Sequence, residues 1–364
     1  MTTYWISAYG LPSVLAEKAR ELEAEGWHGL SMGESPNQLP LAYLQLYGAA
    51  LATTELLLGT GVTHPAPNSA VTTASAIATI QIESHGRAVL GIGRGDSGHA
   101  CLGLAPAPLP VFESYVRRVR GYLAGQTVEN WTGDGGGVIP PLSSLGLDQG
   151  SMLNKLKWLD SQTPVVPIDI AASGPRTIQL AARLADRITF AVGAEPRRIK
   201  WAMEVARAER RKLGEPEGTL RFGAFVPFCA GPDSVVARER SRGPVASFAR
   251  MSAMHPGQQV AGVAAEDEAV YESIRSSYDF KGHFREGAAA RQSQELPADF
   301  VDRFGVAGSA AECADRLLEL AELGLDRIVL IPPSGLSQDE IYGRTREDES
   351  AVNERQKLIR ILRG

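Results

Sequence analysis

The stretch of residues 56–98 constrains the fold of this chain more than any other, because it predicts two parallel strands joined by a helix. The first apolar run ends in the glycine-containing segment 59–61, and the second ends at three alternating glycines, Gly91, Gly93 and Gly95. Residues 69–83 carry Ala and Ile at helical spacing, and parallel pairing requires such a crossover. Glycines let a ligand approach the backbone, so this stretch predicts a ligand site at the carboxyl ends of its strands.

The same alternation of apolar runs and amphipathic helices continues along the chain. Further strands are predicted at residues 4–8, 28–32, 165–172, 187–192, 220–229 and 327–331. Eight strands that nearly all alternate with helices favour a (β/α)8 TIM barrel, although the alternation alone leaves a doubly wound sheet open. We expect one domain over residues 1–364, because this length suits one large α/β barrel.

Two irregular stretches interrupt this rhythm, at about residues 126–163 and 241–297. The first is rich in glycine and proline and too long for an ordinary connection, so it is either a loop that shapes a substrate pocket or a tolerated surface insertion. We expect both stretches to line the pocket. His255 and His283 in the second are predicted to face solvent.

Composition excludes several classes of function. A net charge of −5 gives no cationic surface for nucleic acid, and no apolar run reaches the length of a membrane span. The first residues lack the pattern of a secretion signal, so we expect a cytoplasmic protein. The cysteines Cys101, Cys229 and Cys313 lie far apart and are predicted to be small buried residues. Because no metal-ligand spacing is present, we expect no metal.

A second ligand-binding signal is the turn from a predicted strand into a helix at residues 173–177. Its residues are Ser173, Gly174, Pro175, Arg176 and Thr177. Backbone N–H groups at a helix start, the helix dipole and a guanidinium together suit a phosphate. The alternative is a well-capped helix with a surface arginine.

Polar side chains also follow two of the other predicted strands. Arg94 and Asp96 flank Gly95, where an arginine can meet an anion and an aspartate can bind a ring edge or pass a proton. The alternative is that these two side chains pair with each other. Glu34 stands at the equivalent place after the second strand, and His99 lies in the loop after the fourth.

Four blocks together resemble the luciferase-like superfamily, and within it the F420-dependent oxidoreductases related to methylenetetrahydromethanopterin reductase. They are LLLGTGVTHP, ASAIATIQIESHGRAVLGIGRGDS, IAASGPRTIQLAARLADRI and DRFGVAGSAAECADRLLELAELGLDRIVL, spread over nearly the whole chain. The resemblance implies a TIM barrel with insertions, often a homodimer, that binds a deazaflavin at the carboxyl ends of its strands.

Residue by residue, the resemblance implies that Gly61 and Val62 share a non-proline cis peptide that bulges against the central ring. It assigns the turn at 173–177 to phosphate and places Glu34 against the ring. The next position is often histidine in this branch but is Ser35 here, which puts alcohol-oxidising chemistry in doubt. Flavin-using relatives place an arginine at the position of Arg94, so FMN stays an alternative cofactor.

The resemblance therefore implies an oxidoreductase that moves a hydride between C5 of F420 and a small organic substrate. Gly93 and Gly95 would let the cofactor approach, and Asp96 or His99 would handle an accompanying proton. Two alternatives stay open at this point. One is a monooxygenase that uses reduced FMN and oxygen, and the other is a non-catalytic barrel that stores or senses the cofactor.

Overall fold

Nine parallel strands form the centre of the structure, a computed structural model that describes residues 1–129, 142–146, 154–254, 260–283, 290–334 and 337–364. The strands are β1 (Thr3–Ser7), β2 (Gly29–Met32), β3 (Leu57–Thr60), β4 (Ala88–Ile92), β5 (Ile168–Ala172), β6 (Arg187–Phe190), β7 (Arg221–Ala230), β8 (Val306–Gly308) and β9 (Arg327–Ile331). Eight of them close a barrel in the order β6-β5-β4-β3-β2-β1-β9-β7, because β7 also pairs with β6. The predicted TIM barrel is confirmed.

Helices surround this barrel. They are α1 (Pro12–Glu25), α2 (Ala42–Ala52), α3 (Ala70–Glu83), α4 (Ser97–Ala100), α5 (Leu109–Leu123), α6 (Pro175–Leu184), α7 (Pro196–Lys212), α8 (Ser234–Ser252), α9 (Glu268–Ser277), α10 (Arg291–Gln294), α11 (Ala298–Phe304), α12 (Ala310–Glu322), α13 (Gln338–Ile341) and α14 (Glu349–Arg363). Local sequence explains several starts: Pro175 opens α6, and Ser309 forms a capping box with Glu312 at α12. None of the described helices combines the length and the apolar character needed to span a bilayer.

The strand β8 lies outside the barrel and was not predicted. It pairs only with the last residues of β7, from Phe228 to Ala230, whereas the earlier part of β7 pairs with β6 and β9. Pro227 stands where β7 leaves β9 and meets β8, which is a place where a strand tolerates proline. A three-residue strand is too short to carry an alternating pattern, so the sequence gives no sign of β8.

The amino-terminal half of the barrel interior is filled, so only the carboxyl ends of the strands leave room for a ligand. Trp5 fills the centre, and Gly29 makes space for it, since a Cβ there would lie 2.4 Å from the indole. Below it, Arg327 forms a buried ion pair with Asp169 and places its guanidinium 4.4 Å from the Trp5 ring centroid. Thr189 completes this polar cluster with hydrogen bonds of 2.8 and 2.9 Å to the Asp169 carboxylate.

The two irregular stretches have different structures. The second forms α8 to α11 around a hydrophobic core of its own, which includes Val245, Tyr271 and Phe300. Residues 130–141 and 147–153 of the first lie outside the described residues, and so does the prediction that they shape the pocket. Cys229 and Cys313 are buried, as predicted, whereas Cys101 is only half-buried.

Candidate functional site

A cavity of 280 Å³ opens among the loops that follow the barrel strands. Most of the predicted site residues line it: Glu34, Gly61, Val62, Gly93, Arg94, Gly95, Asp96, Ser173 and Thr177. Its other wall comes from the second insertion, where α8 supplies Phe248 and Met251 and the chain beyond it supplies Met254. Of the described residues of 126–163, none lines the cavity, so only one of the two insertions is confirmed as a pocket wall.

The loop after β3 forms a bulge at the cavity wall. The peptide bond between Gly61 and Val62 is cis, as the resemblance implies. Backbone hydrogen bonds hold the bulge on both sides: the Glu34 amide donates to the Val62 carbonyl at 3.3 Å, and the Thr63 amide donates to that of Gly91 at 3.0 Å. A Cβ at Gly61 would lie 1.9 Å from the Ser31 hydroxyl, so any larger residue there would require the Ser31 side chain to move.

Glu34 is buried at the foot of this bulge. Its carboxylate accepts hydrogen bonds from the Thr63 hydroxyl and, at 2.8 Å, from the Asn68 amide. Burial nevertheless raises the pKa of Glu34, because these two bonds do not offset the loss of solvation. Glu34 therefore ties the bulge to the end of β2 and still faces the cavity.

His99 lies behind the cavity lining. It packs against Gly95, where a Cβ would lie 2.1 Å from its ring, and its Nδ1 donates to the Ala105 carbonyl at 2.8 Å. His64, 4.8 Å away between ring centroids, lines the cavity and donates from Nε2 to the Glu34 carbonyl at 3.0 Å. Burial, with the charge of His99, lowers the pKa of His64 to about 4. The neutral His64 ring thus keeps a buried Nδ1 lone pair without a partner among the described residues.

Asp96 forms an ion pair with Arg250 of α8 and not, within the described residues, with Arg94. Both side chains are largely buried, and the second carboxylate oxygen of Asp96 lacks a hydrogen-bond partner there. The Arg250 guanidinium also lies over the rings of Tyr278 and Phe280, 5.0 and 4.5 Å from their centroids. This pair links the carboxyl end of β4 to the second insertion, which the sequence did not predict.

Two arginines stand near each other at the start of α6 without a carboxylate partner among the described residues. Arg94 donates from Nε to the Ala107 carbonyl at 2.7 Å, and both burial and the charge of Arg176 lower its pKa. Arg176 is exposed and makes no hydrogen bond to the described part of the chain. Gly174 is the N-cap of α6 and has open space where a Cβ would point. These residues fit a phosphate, since two arginine charges lie close together beside a helix start.

The prediction that His283 faces solvent is wrong. His283 is buried against the cavity and binds the Ser97 hydroxyl through Nε2 and the Tyr278 hydroxyl through Nδ1. The polar stretch around it suggested a surface loop, but α8 and α9 fold over the barrel and enclose it. His255 lies outside the described residues. No group of three His, Cys, Asp or Glu side chains able to hold a metal ion occurs in the part of the chain that the structure describes.

A closed parallel barrel with a cavity at the carboxyl ends of its strands is the architecture of TIM-barrel enzymes, whose active sites lie at that face. The comparison with protein families identifies which of these enzymes the chain is related to. The family model of the luciferase-like monooxygenases matches residues 5–327, so the chain belongs to the luciferase-like monooxygenase family.

Among curated relatives, the chain is 25% identical over 333 residues to 5,10-methylenetetrahydromethanopterin reductase of Methanolobus tindarius, covering 90% of this chain and 92% of the relative. Two solved structures share the fold. The coenzyme F420-dependent tetrahydromethanopterin reductase from Methanopyrus kandleri has a TM-score of 0.69 at 21% identity, over 93% of this chain and 96% of that one. An F420-dependent secondary alcohol dehydrogenase in complex with an F420–acetone adduct has a TM-score of 0.68 at 16% identity, over 100% and 99%.

Proposed function

We propose that the protein is an F420-dependent oxidoreductase that transfers a hydride between the deazaflavin and a small organic substrate. The observation that carries this proposal is one cavity with two matched parts. One part is an apolar chamber with the Gly61–Val62 bulge in its wall, and the other is Arg94 of the lining with the nearby Arg176, which lies outside the lining at the start of α6. A flat ring system with a phosphorylated tail fits both parts, and the similarity to the coenzyme F420-dependent reductase from Methanopyrus kandleri supports F420 as its identity.

The residues of this chain would bind the cofactor, orient it and keep water out of the site. Arg94, Arg176 and the turn with Ser173, Gly174, Pro175 and Thr177 would hold the phosphate. Val62, Gly93 and Gly95 would press on the ring from the β3 and β4 side. The chemistry that F420 supplies when bound is hydride transfer at C5, for which alignment in a dry pocket is the main requirement.

Asp96 and His99, predicted to handle a proton, have different surroundings from each other and from Glu34, which the resemblance places against the ring. Asp96 is held by Arg250, which favours its charged form, so we assign its second oxygen as an acceptor for an N–H of the ring edge. Glu34 braces the bulge and faces the ring. His99 lies outside the lining, so its proposed part is to support Gly95 beneath the cofactor.

Anaerobic binding titrations with F420 and with FMN test this proposal. We expect F420 to bind more tightly than FMN, and the reduced form to be oxidised by at least one member of a panel of carbonyl and imine compounds. Tight FMN binding with product formed only in oxygen would instead identify a monooxygenase. Tight F420 binding without turnover of any compound would identify a storage or sensing protein.

The proposal includes a homodimer in the cytoplasm. Large apolar side chains are exposed on one side of α2 and its neighbour α3, and they are Leu44, Tyr47, Leu51, Val71 and Ile82. Such a patch on two adjacent helices suits burial against a second copy. Three cysteines in 364 residues, with a mildly acidic composition, are compatible with a reducing cytoplasm.

A further inference from the structure

A chain of three hydrogen-bonded side chains lies beside the cavity and has no part in the function proposed above. Ser97 stands at the start of α4, directly after Asp96, and its hydroxyl lies 2.5 Å from Nε2 of His283. Nδ1 of the same imidazole contacts the hydroxyl of Tyr278. Ser97 and His283 line the cavity, whereas Tyr278 lies farther out and is half-buried, beside the exposed residue Phe280.

The direction of these hydrogen bonds follows from their partners. Burial and the charge of Arg250 lower the pKa of His283 to about 3, so the ring is neutral and carries one N–H. Burial raises the pKa of Tyr278 to about 12, so the phenol keeps its proton. Arg250 has only donors, so the Tyr278 oxygen accepts from it.

The Tyr278 proton has two acceptors within reach. The Ser247 hydroxyl lies 3.4 Å away, and Nδ1 of His283 is much closer. Donation to Nδ1 places the imidazole proton on Nε2, from which it is donated to the oxygen of Ser97. The Ser97 hydroxyl proton is then left to point into the cavity.

We propose that Ser97 binds and protonates the oxygen of a carbonyl substrate, and that His283 and Tyr278 replace the proton it gives up. This inference rests on the proposed function for the hydride, which a reduced deazaflavin supplies. The substrate class is a ketone or aldehyde with an apolar body, because Phe248, Met251 and Met254 form the wall beside Ser97.

The step balances in atoms and charge. Hydride addition to the carbonyl carbon breaks the C=O π bond and leaves its electron pair on the oxygen. That oxygen takes the Ser97 hydroxyl proton, Ser97 takes the Nε2 proton of His283, and Nδ1 takes the proton of Tyr278. An alkoxide is more basic than a phenolate, so the transfer is downhill. Arg250 stabilises the phenolate, which regains a proton from water because Tyr278 is half-buried beside the exposed Phe280.

The first test needs neither cofactor nor turnover. In the full-length protein with ¹⁵N-labelled histidine, the His283 signals are identified by their loss in His283→Gln. We expect a neutral ring with the proton on Nε2 at about pH 7. A proton on Nδ1, or a charged ring at that pH, overturns the relay.

The second test measures binding of two probes, cyclohexanone and methylenecyclohexane, which differ in the hydrogen-bond acceptor. We expect Ser97→Ala to weaken cyclohexanone binding about threefold to tenfold and to leave methylenecyclohexane unchanged. Ser7→Ala, another serine of the cavity lining, is the matched control and should change neither. Equal effects of Ser97→Ala on both probes, or none, contradict the proposed oxygen site.

The third test uses any ketone that the panel identifies as a substrate. Ser97→Ala and Tyr278→Phe should each lower its reduction about a hundredfold while the affinity for F420 stays as in the wild type. Wild-type rates in both variants overturn the proposal. If F420 does not bind the wild-type protein, the proposed function fails, whereas the first two tests still decide whether the oxygen site exists.

Discussion

Glu34 holds the cavity wall through its hydrogen bonds, and its carboxyl group changes charge with pH. Its pKa is raised because the carboxyl is buried beside Thr63 and Asn68. The folded protein therefore holds this proton more tightly than the unfolded chain. Its contribution to stability is full below the pKa of an unfolded glutamate, 4.5, and is lost as the pH rises through the folded pKa.

Glu34→Gln removes this titration, because the amide is neutral at every pH. We expect the free energy of unfolding of the variant, relative to wild type, to increase between about pH 4 and pH 8. Chemical denaturation at several pH values measures the difference. Glu17→Gln, on the exposed side of α1, is the control. A difference that stays flat or falls with pH would show that Glu34 is not held in its neutral form.

Arg176 is the residue on which the phosphate assignment depends. Arg176→Ala should weaken F420 binding about tenfold to a hundredfold, because it removes a charged hydrogen bond to the phosphate. Fluorescence titration measures the affinity. Arg183→Ala removes an exposed arginine at the other end of the same helix, and its affinity should equal that of the wild type. Equal affinities of both variants would exclude the phosphate role of Arg176.

The site residues that the sequence predicted share one property, which is that they directly follow a strand. Glu34, Arg94 and Asp96 are recognisable because a parallel barrel brings all strand ends to one face. His283 lines the same cavity and Arg250 pairs with Asp96 of its lining, and both come from a region between β7 and β9 that has no such rule. Their positions depend on how α8 folds back, and no local pattern encodes that contact over more than 150 residues.

At the scale of elements, one buried arginine joins the second insertion to the barrel. Arg198 of α7 is fully buried and donates to the Tyr271 hydroxyl of α9 at 2.7 Å and to the Ser252 hydroxyl of α8 at 2.9 Å. Its guanidinium also lies 5.3 Å from the Tyr271 ring centroid. This contact positions the cavity wall that α8 provides.

Arg198→Met should loosen the insertion and leave the barrel folded, because it keeps the volume and removes both hydrogen bonds. A loss of about 2 kcal/mol corresponds to roughly thirtyfold faster hydrogen exchange by local opening in α8 and α9. Mass spectrometry of exchanged peptides measures this effect. The neighbouring, exposed Arg197→Met is the control, and a uniform change across the barrel would contradict a local role for Arg198.

The sequence predicts the helices and strands whose apolar residues recur at a regular spacing, and it misses those whose apolar residues do not. The helix α12 has a serine cap and a glycine stop, so its ends are readable from the sequence. The strand β8 is only three residues long, and its pairing with β7 depends on where α11 ends. The short length of β8 is the physical reason that it was not predicted, since an alternating pattern is recognisable only over about four residues or more.

At the scale of the whole molecule, the apolar side of α2 and α3 predicts self-association. Leu44 is 55% exposed and Leu51 is 61% exposed. The double variant Leu44→Asp, Leu51→Asp should be a monomer at concentrations where the wild type is a dimer, because a dimer would bury four carboxylates. Light scattering after gel filtration measures the mass.

The control for this prediction has similar exposure on another face. Val235 and Val236 of α8 are 69% and 52% exposed, so Val235→Asp, Val236→Asp should keep the dimer. A wild-type protein that is monomeric throughout would contradict the homodimer. Dissociation in the control as well would show that added charge, and not the α2 surface, causes the effect.

The two sets of partners of strand β7 determine how the second insertion could be exchanged between related barrels. The first seven residues of β7 complete the closed ring, and its last three pair with β8. The chain therefore enters the second insertion at the end of β7 and returns through β8, beside the same strand. The insertion between β7 and β8 thus enters and leaves the barrel at one place, although side chains such as Arg250 also tie it to other strand ends. Exchanging this insertion between homologous barrels should transfer substrate preference without disturbing the cofactor's anchor.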